Sequence, residues 1–242
     1  MAGRLPEERV ERPVTYQRWG SITFLHWRFD PAVLQPRLPE GFTPDTYDGS
    51  AWVSMTPFVM TFRVAGLPHV PGMTRFPETN VRTYVRGPDG RDGIWFFSLE
   101  AACLPLVLGA RALYRVPYRW ADMEVDEQGP TVRYRSRRRR GPAAGHDITI
   151  RPGAPCEGSD LDHWLSGRWR GWTHIAGRSC TVAAEHPPWA LWDATVVDLD
   201  ESLLAANGLV RPSEPPLVRY SPGTDARLGI PHACVFRTAT GG

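Results

Sequence analysis

A mainly β fold (α+β class), one closed antiparallel sheet with a few short helices, is what this chain of 242 residues predicts. Three observations lead there. Twenty-four prolines and 23 glycines cut the chain into segments too short for long helical runs. The segments between them are rich in aromatic and β-branched residues. Turn chemistry such as Gly87-Pro-Asp-Gly90 stands between pairs of them.

Residues 21–29 (SITFLHWRF) are aromatic and β-branched, hence a strand. Asp30 caps a short helix over 30–38, with Pro31 at its first position and Val33, Leu34 and Leu38 apolar. After the turn at Pro39-Glu-Gly41, residues 51–64 alternate as a strand in which Pro57 marks a bulge or an edge. Residues 79–86 and 93–100 pair across the Gly87–Gly90 turn, 104–113 is helical, and 121–125 with 131–137 form a second hairpin around Glu127-Gln-Gly-Pro130. Asp160 caps a helix over 161–170; strands follow at 179–185 and 190–199, a short helix at 201–207 closed by Gly208, and a strand at 217–220. With no internal repeat or low-complexity linker, one domain over 17–236 is expected behind a flexible segment 1–16.

The composition, 42% hydrophobic and 22% charged, is that of an ordinary globular protein with a sizeable core. A net charge of +2, from 28 basic against 26 acidic residues, implies no general polyanion partner. The first 14 residues are polar, without the apolar core of a secretory signal, and no stretch reaches the roughly 20 apolar residues that span a bilayer. A cytoplasmic protein without membrane or nucleic-acid partners is the expectation. Cys103, Cys156, Cys180 and Cys234 show no C-x-x-C pairing and are expected as buried free thiols. The seven histidines have no metal-ligand spacing, and neither a phosphate loop nor a G-x-S-x-G elbow occurs. No metal and no cofactor are therefore expected.

Every one of the 28 basic residues is an arginine. A guanidinium stays charged to a pKa above roughly 12, so no side chain here can condense with a ketone.

Glu78, Asn80, Arg82 and Tyr84 fall at every second position, so in a strand all four share one face. That face is either solvated, with cross-strand ion pairs, or turned into a cavity. Arg111, Tyr114 and Tyr118 share one face of a helix by three-and-four spacing; they suit a carboxylate or a phenolate-like oxygen, or else Arg111 pairs with a carboxylate and the tyrosines anchor the core. His26, beside Trp27, is a satisfied core histidine or a general base. His186, before two prolines, caps a strand or covers a cavity mouth. The run Arg137 to Arg140 is a solvated loop end or an anionic-surface or nucleic-acid patch. The ten tryptophans are dispersed and read mainly as core.

These motifs in this order resemble the YqjF-like proteins, a branch of the acetoacetate decarboxylase-like superfamily. The resemblance rests on Phe24-Leu-His-Trp27, Leu38-Pro-Glu-Gly41, Asp48-Gly-Ser-Ala-Trp52, Glu78-Thr-Asn-Val-Arg-Thr-Tyr84, Phe96-Phe-Ser-Leu99, Ala110-Arg111 with Tyr114 and Pro117-Tyr118, His186-Pro-Pro-Trp189 and Tyr220-Ser-Pro-Gly223. It implies a curved antiparallel sheet closed into a cone-like barrel around a cavity, and it admits a homo-oligomer. It also places Tyr118 where the superfamily's Schiff-base lysine sits and Arg119 where that lysine's neighbour sits, so decarboxylation by that mechanism is out of reach. A superfamily glutamate on the corresponding strand turns Glu78 and Arg82 inward, as a buried ion pair.

The expected function is binding of a small, oxygen-rich organic molecule through Glu78, Asn80, Arg82, Tyr84, Arg111, Tyr114, Tyr118, Arg119 and His26. As an enzyme it would work by acid/base chemistry at Glu78 and Tyr118, with Arg82 or Arg111 on the oxyanion, in dehydration, tautomerisation or cyclisation of a keto acid. The competing expectations are a non-catalytic binder or sensor, and association with anionic surfaces through Arg137 to Arg140.

Overall fold

Extended segments of β-branched and aromatic residues dominate the computed structural model, which describes residues 6, 9–66 and 74–233. Among these, the chain runs β1 (Thr15–Phe29), α1 (Pro31–Leu34), β2 (Thr43–Pro44), β3 (Ala51–Val64), β4 (Arg75–Arg86), β5 (Asp92–Ala101), α2 (Leu104–Leu113), β6 (Tyr118–Asp126), β7 (Val132–Arg138), β8 (Gly145–Pro155), α3 (Asp160–Ser166), β9 (Arg170–Ile175), β10 (Arg178–Glu185), β11 (Trp192–Glu201), α4 (Leu203–Ala206), β12 (Leu217–Leu228) and β13 (His232–Ala233). The mainly β class with few short helices is what the structure has.

All strands belong to one sheet, antiparallel except where β5 meets β6 and β9. Its pairings trace two circuits that share β12, β1, β3, β4 and β5. One returns through β9 and β10, the other through β6, β7, β8 and β11. The shared strands have both faces covered. On one side Leu25, Val53, Met55 and Val81 pack with Tyr134, Ile148 and Ile150 into a solid core. On the other, Ile22, Phe58, Met60 and Leu99 wall a cavity, with Phe24 packed in the same cluster.

A single extra residue keeps β1 in step with both faces. Its register against β3 passes from Gly20↔Val59 to Leu25↔Met55, and Ser21 has φ +45°. Pro57, which has no N–H to give a ladder, lies in that interval while keeping its place opposite Thr79 of β4. Because of the bulge, Gln17 and Trp19 face the cavity before it, and Ile22 after it.

Several expectations are corrected. The helix set at 161–170 stops at Ser166, and Arg170 already begins β9. Its real N-cap is Ser159, in a capping box with Asp162. β8 had not been foreseen: its alternation His146, Ile148, Ile150 is diluted by the Pro- and Gly-rich 152–155. β12 extends eight residues beyond the expected 217–220, through Pro222 and Gly223. Cys103 and Cys180 are buried free thiols but Cys156 is only half-buried, and Cys234 lies outside the described residues. Among the described residues no helix is long and apolar enough to cross a membrane.

Candidate functional site

A cavity lined by strands of the smaller circuit and by α2 has a volume of about 470 Å3. β4 supplies Glu78, Asn80 and Arg82 to it. The alternate residues face the solid core, where Thr79 Oγ1 meets His146 Nε2 at 2.9 Å and Thr83 donates to the Trp52 carbonyl at 2.7 Å. The strand's two-residue period thus puts three polar groups in one row, as its sequence predicts. Tyr84 leaves the row. It is wholly buried against Trp52 and Leu165, its hydroxyl 2.7 Å from Ser54 Oγ.

Glu78 is 2% exposed, and the Tyr118 hydroxyl donates to its two carboxylate oxygens at 3.1 and 3.2 Å. Burial pushes its pKa up from 4.5 to about 8; the Tyr118 hydrogen bond opposes the rise and the nearby Glu100 charge adds to it. Glu78 is therefore mostly protonated at neutral pH. The expected Glu78–Arg82 ion pair does not form. Four residues along a strand separate the two backbones by about 13 Å, too far for a direct bridge between side chains standing off the sheet.

Arg82 has no carboxylate partner among the described residues, and its Nε is buried without a hydrogen bond. Burial lowers its pKa, Tyr84 offsets part of that, and the Arg168 charge lowers it further. Arg168 sits on the Trp164 ring at 4.2 Å and binds Asp45 at 2.7 Å and Asp92 at 2.8 Å through Nη1, while Nη2 is unpartnered. The early end of α3 places it there, since Arg168 Nε folds back onto the Trp164 carbonyl at 3.0 Å. Thr56 Oγ1, Asn80 Oδ1, Tyr114 OH and Trp172 Nε1 are likewise buried without hydrogen bonds, and all four residues line the cavity. Trp172 gets there by passing over two glycines: a Cβ on Gly87 would lie 2.0 Å from its ring, and one on Gly93 2.6 Å.

The other expected site residues separate. Tyr118 and Tyr114 line the cavity, but Arg111 and Arg119 are exposed and lie off it. The helical face imagined for 111, 114 and 118 does not exist. α2 ends at Leu113, Arg115 turns the chain at φ +54°, and Tyr118 opens β6, whose alternation sends Arg119 outward. His26 is buried beside the cavity, its Nδ1 2.6 Å from Ser54 Oγ, and burial plus the Arg82 charge drive its pKa down to about 3. It is a core histidine, too weak a base to take a proton at neutral pH. His186 does line the cavity, packed among Trp19, Trp169 and Trp189, with Nδ1–H donating to the Pro187 carbonyl at 2.7 Å. Thr56, Arg168 and Trp172 had not been singled out for the site; the one local signal was the pair of glycines flanking the 87–93 turn.

The arginine run is partly structural. Arg138 forms a buried pair with Glu100 at 2.5 Å, and Arg139 binds Asp122 at 2.6 Å while covering Trp120 at 4.5 Å. Among the described residues no three His, Cys, Asp or Glu side chains cluster so as to hold a metal ion.

The profile of a family of uncharacterized conserved proteins, DUF2071, matches residues 16–225. Uncharacterized protein YqjF of Bacillus subtilis (strain 168) is 35% identical over 233 residues, 93% of this chain and 96% of that protein. The enduracididine biosynthesis enzyme MppR complexed with pyruvate superposes with a TM-score of 0.65 at 14% identity, over 94% of this chain and 93% of that one. An acetoacetate decarboxylase-like enzyme from Sphingomonas wittichii RW1 gives 0.62 at 16%, over 96% and 99%. At such identities the likeness bears on the fold alone.

Proposed function

Starting from the fact that this chain belongs to the DUF2071 family and has an acetoacetate decarboxylase-like fold, we propose that it is a lysine-independent acid/base enzyme acting on a keto acid inside a cone-like barrel. The barrel is the smaller circuit of strands, and the cavity is its interior. The observation that carries the reading is the pairing of an uncompensated cation with a neutral acid: Arg82 without a carboxylate, and Glu78 held near pKa 8 by burial. Buried polar groups are almost always hydrogen-bonded, so the five unpartnered groups around the cavity that can donate, on Thr56, Arg82, Tyr114, Arg168 and Trp172, mark where a ligand's oxygens fit, while Asn80 Oδ1 awaits a ligand O–H. Pyruvate in the similarly folded MppR is an acid of this kind.

The carboxylate of the ligand binds Arg82, which no carboxylate among the described residues meets, and the unpartnered Nη2 of Arg168. Its carbonyl lies toward Thr56, whose unpartnered hydroxyl can donate to it. The ionised form of Glu78 takes the proton from the carbon beside that carbonyl. The C–H electron pair becomes the enolate double bond, and the carbonyl pair moves to oxygen. Glu78 then returns the proton to carbon or to oxygen, and Tyr118 steadies the carboxylate between the two steps. A base with a pKa of about 8 suits this work near neutral pH.

Exchange of solvent deuterium into the carbon next to the carbonyl of pyruvate or 2-oxobutanoate, followed by proton NMR, tests the proposal. Wild type is expected to exchange and Glu78→Gln to bind without exchanging. Binding without exchange in both would leave a non-catalytic binder and overturn the catalytic reading.

A further inference from the structure

The charged row occupies only one end of the cavity. Opposite Glu78 on β3 stands Phe58, and beyond it the cavity continues past Met60 and Phe62 to Val64, six residues or about 20 Å further along the strand. That stretch is walled mainly by apolar side chains. Leu228 of β12 closes it at the level of Thr15, which pairs with Val64. Leu106, Ala110 and Leu113 of α2 line it from the helix side. The polar side chains of β1 there satisfy one another, Gln17 Nε2 donating to Thr15 Oγ1 at 3.2 Å and Trp19 Nε1 to Gln17 Oε1 at 2.8 Å. They ask nothing of a ligand.

A three-carbon acid leaves most of this space unused. At about 30 Å3 per water-sized volume, a molecule of about six heavy atoms fills well under half of 470 Å3. Unfilled apolar volume contributes no binding, whereas each methylene moved from water into it does.

Resting on the keto-acid reading above, we infer that the substrate is an amphipathic acid whose carboxylate sits at Arg82 and Arg168 and whose long apolar tail runs past Phe58 and Met60 to the wall formed by α2. Glu78 then stands at the junction of head and tail, beside the first carbons after the carbonyl. Pro105, Gly109 and Leu113 line the cavity and are also exposed, so they rim its mouth at the tail end. Gly109 is the constriction point available to a test, since a Cβ there meets nothing within 4 Å.

The experiment is calorimetric and thermal-shift titration of the full chain with a straight-chain series of 2-oxo acids from pyruvate to 2-oxododecanoate. Affinity is expected to rise about threefold to fourfold per methylene until the tail fills the cavity, from the roughly 0.8 kcal/mol released by each buried methylene. Gly109→Leu is expected to end the rise at a shorter chain. Arg82→Met is expected to weaken every member of the series. Equal affinity for short and long acids, still lost in Arg82→Met, would overturn the tail while leaving the keto-acid site standing. Failure of every acid to bind wild type would instead remove the keto-acid reading itself, and the tail with it.

Discussion

Replacing Glu78 by Gln changes one property with little change of shape: it removes a carboxyl that the fold keeps protonated. The folded carboxyl titrates at about 8 and the unfolded one at 4.5. Between those values the folded state holds a proton that the unfolded state has released, so stability falls as pH rises. The contribution is fully present below about 4.5, declines through the interval and is lost once pH has passed about 8. At 1.36 kcal/mol per pH unit the full span is on the order of 5 kcal/mol, an upper bound because water entry and local opening relieve a buried charge. Gln cannot ionise, and its amide oxygen still accepts from Tyr118. Urea unfolding of both proteins at intervals from pH 5 to 9 reads the difference directly, because all other titrating groups cancel between them. Glu78→Gln is expected to gain on wild type steadily above pH 5, and thermal melts of the same pair to diverge in Tm by about 10 °C by pH 9. Parallel curves over the whole range would refute the buried, neutral Glu78 and the acid/base proposal built on it.

Tyr118→Phe removes a hydrogen bond that favours the ionised carboxylate, so the midpoint of that same pH dependence is expected to move above 8 in the urea series. Gly87→Ala puts a Cβ into the Trp172 ring; a loss of about 2 to 3 kcal/mol in urea unfolding is expected, with altered tryptophan fluorescence from a displaced cavity wall. Arg138→Ala strands the buried Glu100 and is expected to cost about 3 to 5 kcal/mol, against less than about 0.5 for Arg140→Ala, by the same measurement. Equal small effects of the two would return Arg138 to a solvated loop.

Much of the cavity row was legible because a strand has a fixed period. Once 78–84 is extended, Glu78, Asn80 and Arg82 share a face whatever surrounds them. Tyr118 was reached by a helical spacing that the structure does not have and by the resemblance, since its neighbours Arg115-Val-Pro117 say nothing of which way its ring points. The reading of Arg111, Tyr114 and Tyr118 as one helical face failed for a definite reason: it carried the helical period across a turn at Arg115 that the sequence does not mark with glycine. Arg168 was illegible for another reason. Its value to the site comes from Asp45, Asp92 and Trp164, which are brought together by β4, β5 and α3 and not by any local pattern.

By itself, the sequence determined what depends on residue type and local spacing: a strand-rich fold, the absence of any side-chain amine for imine chemistry, and the common face of the polar row on β4. Tertiary structure decided which face looked inward, that Glu78 and Arg82 would be separate groups instead of an ion pair, and which of the remaining arginines and tyrosines reached the cavity. Burial and long-range neighbours set those outcomes. Desolvation, not identity, pushes Glu78 toward its neutral form, and the fold brings no carboxylate among the described residues to Arg82.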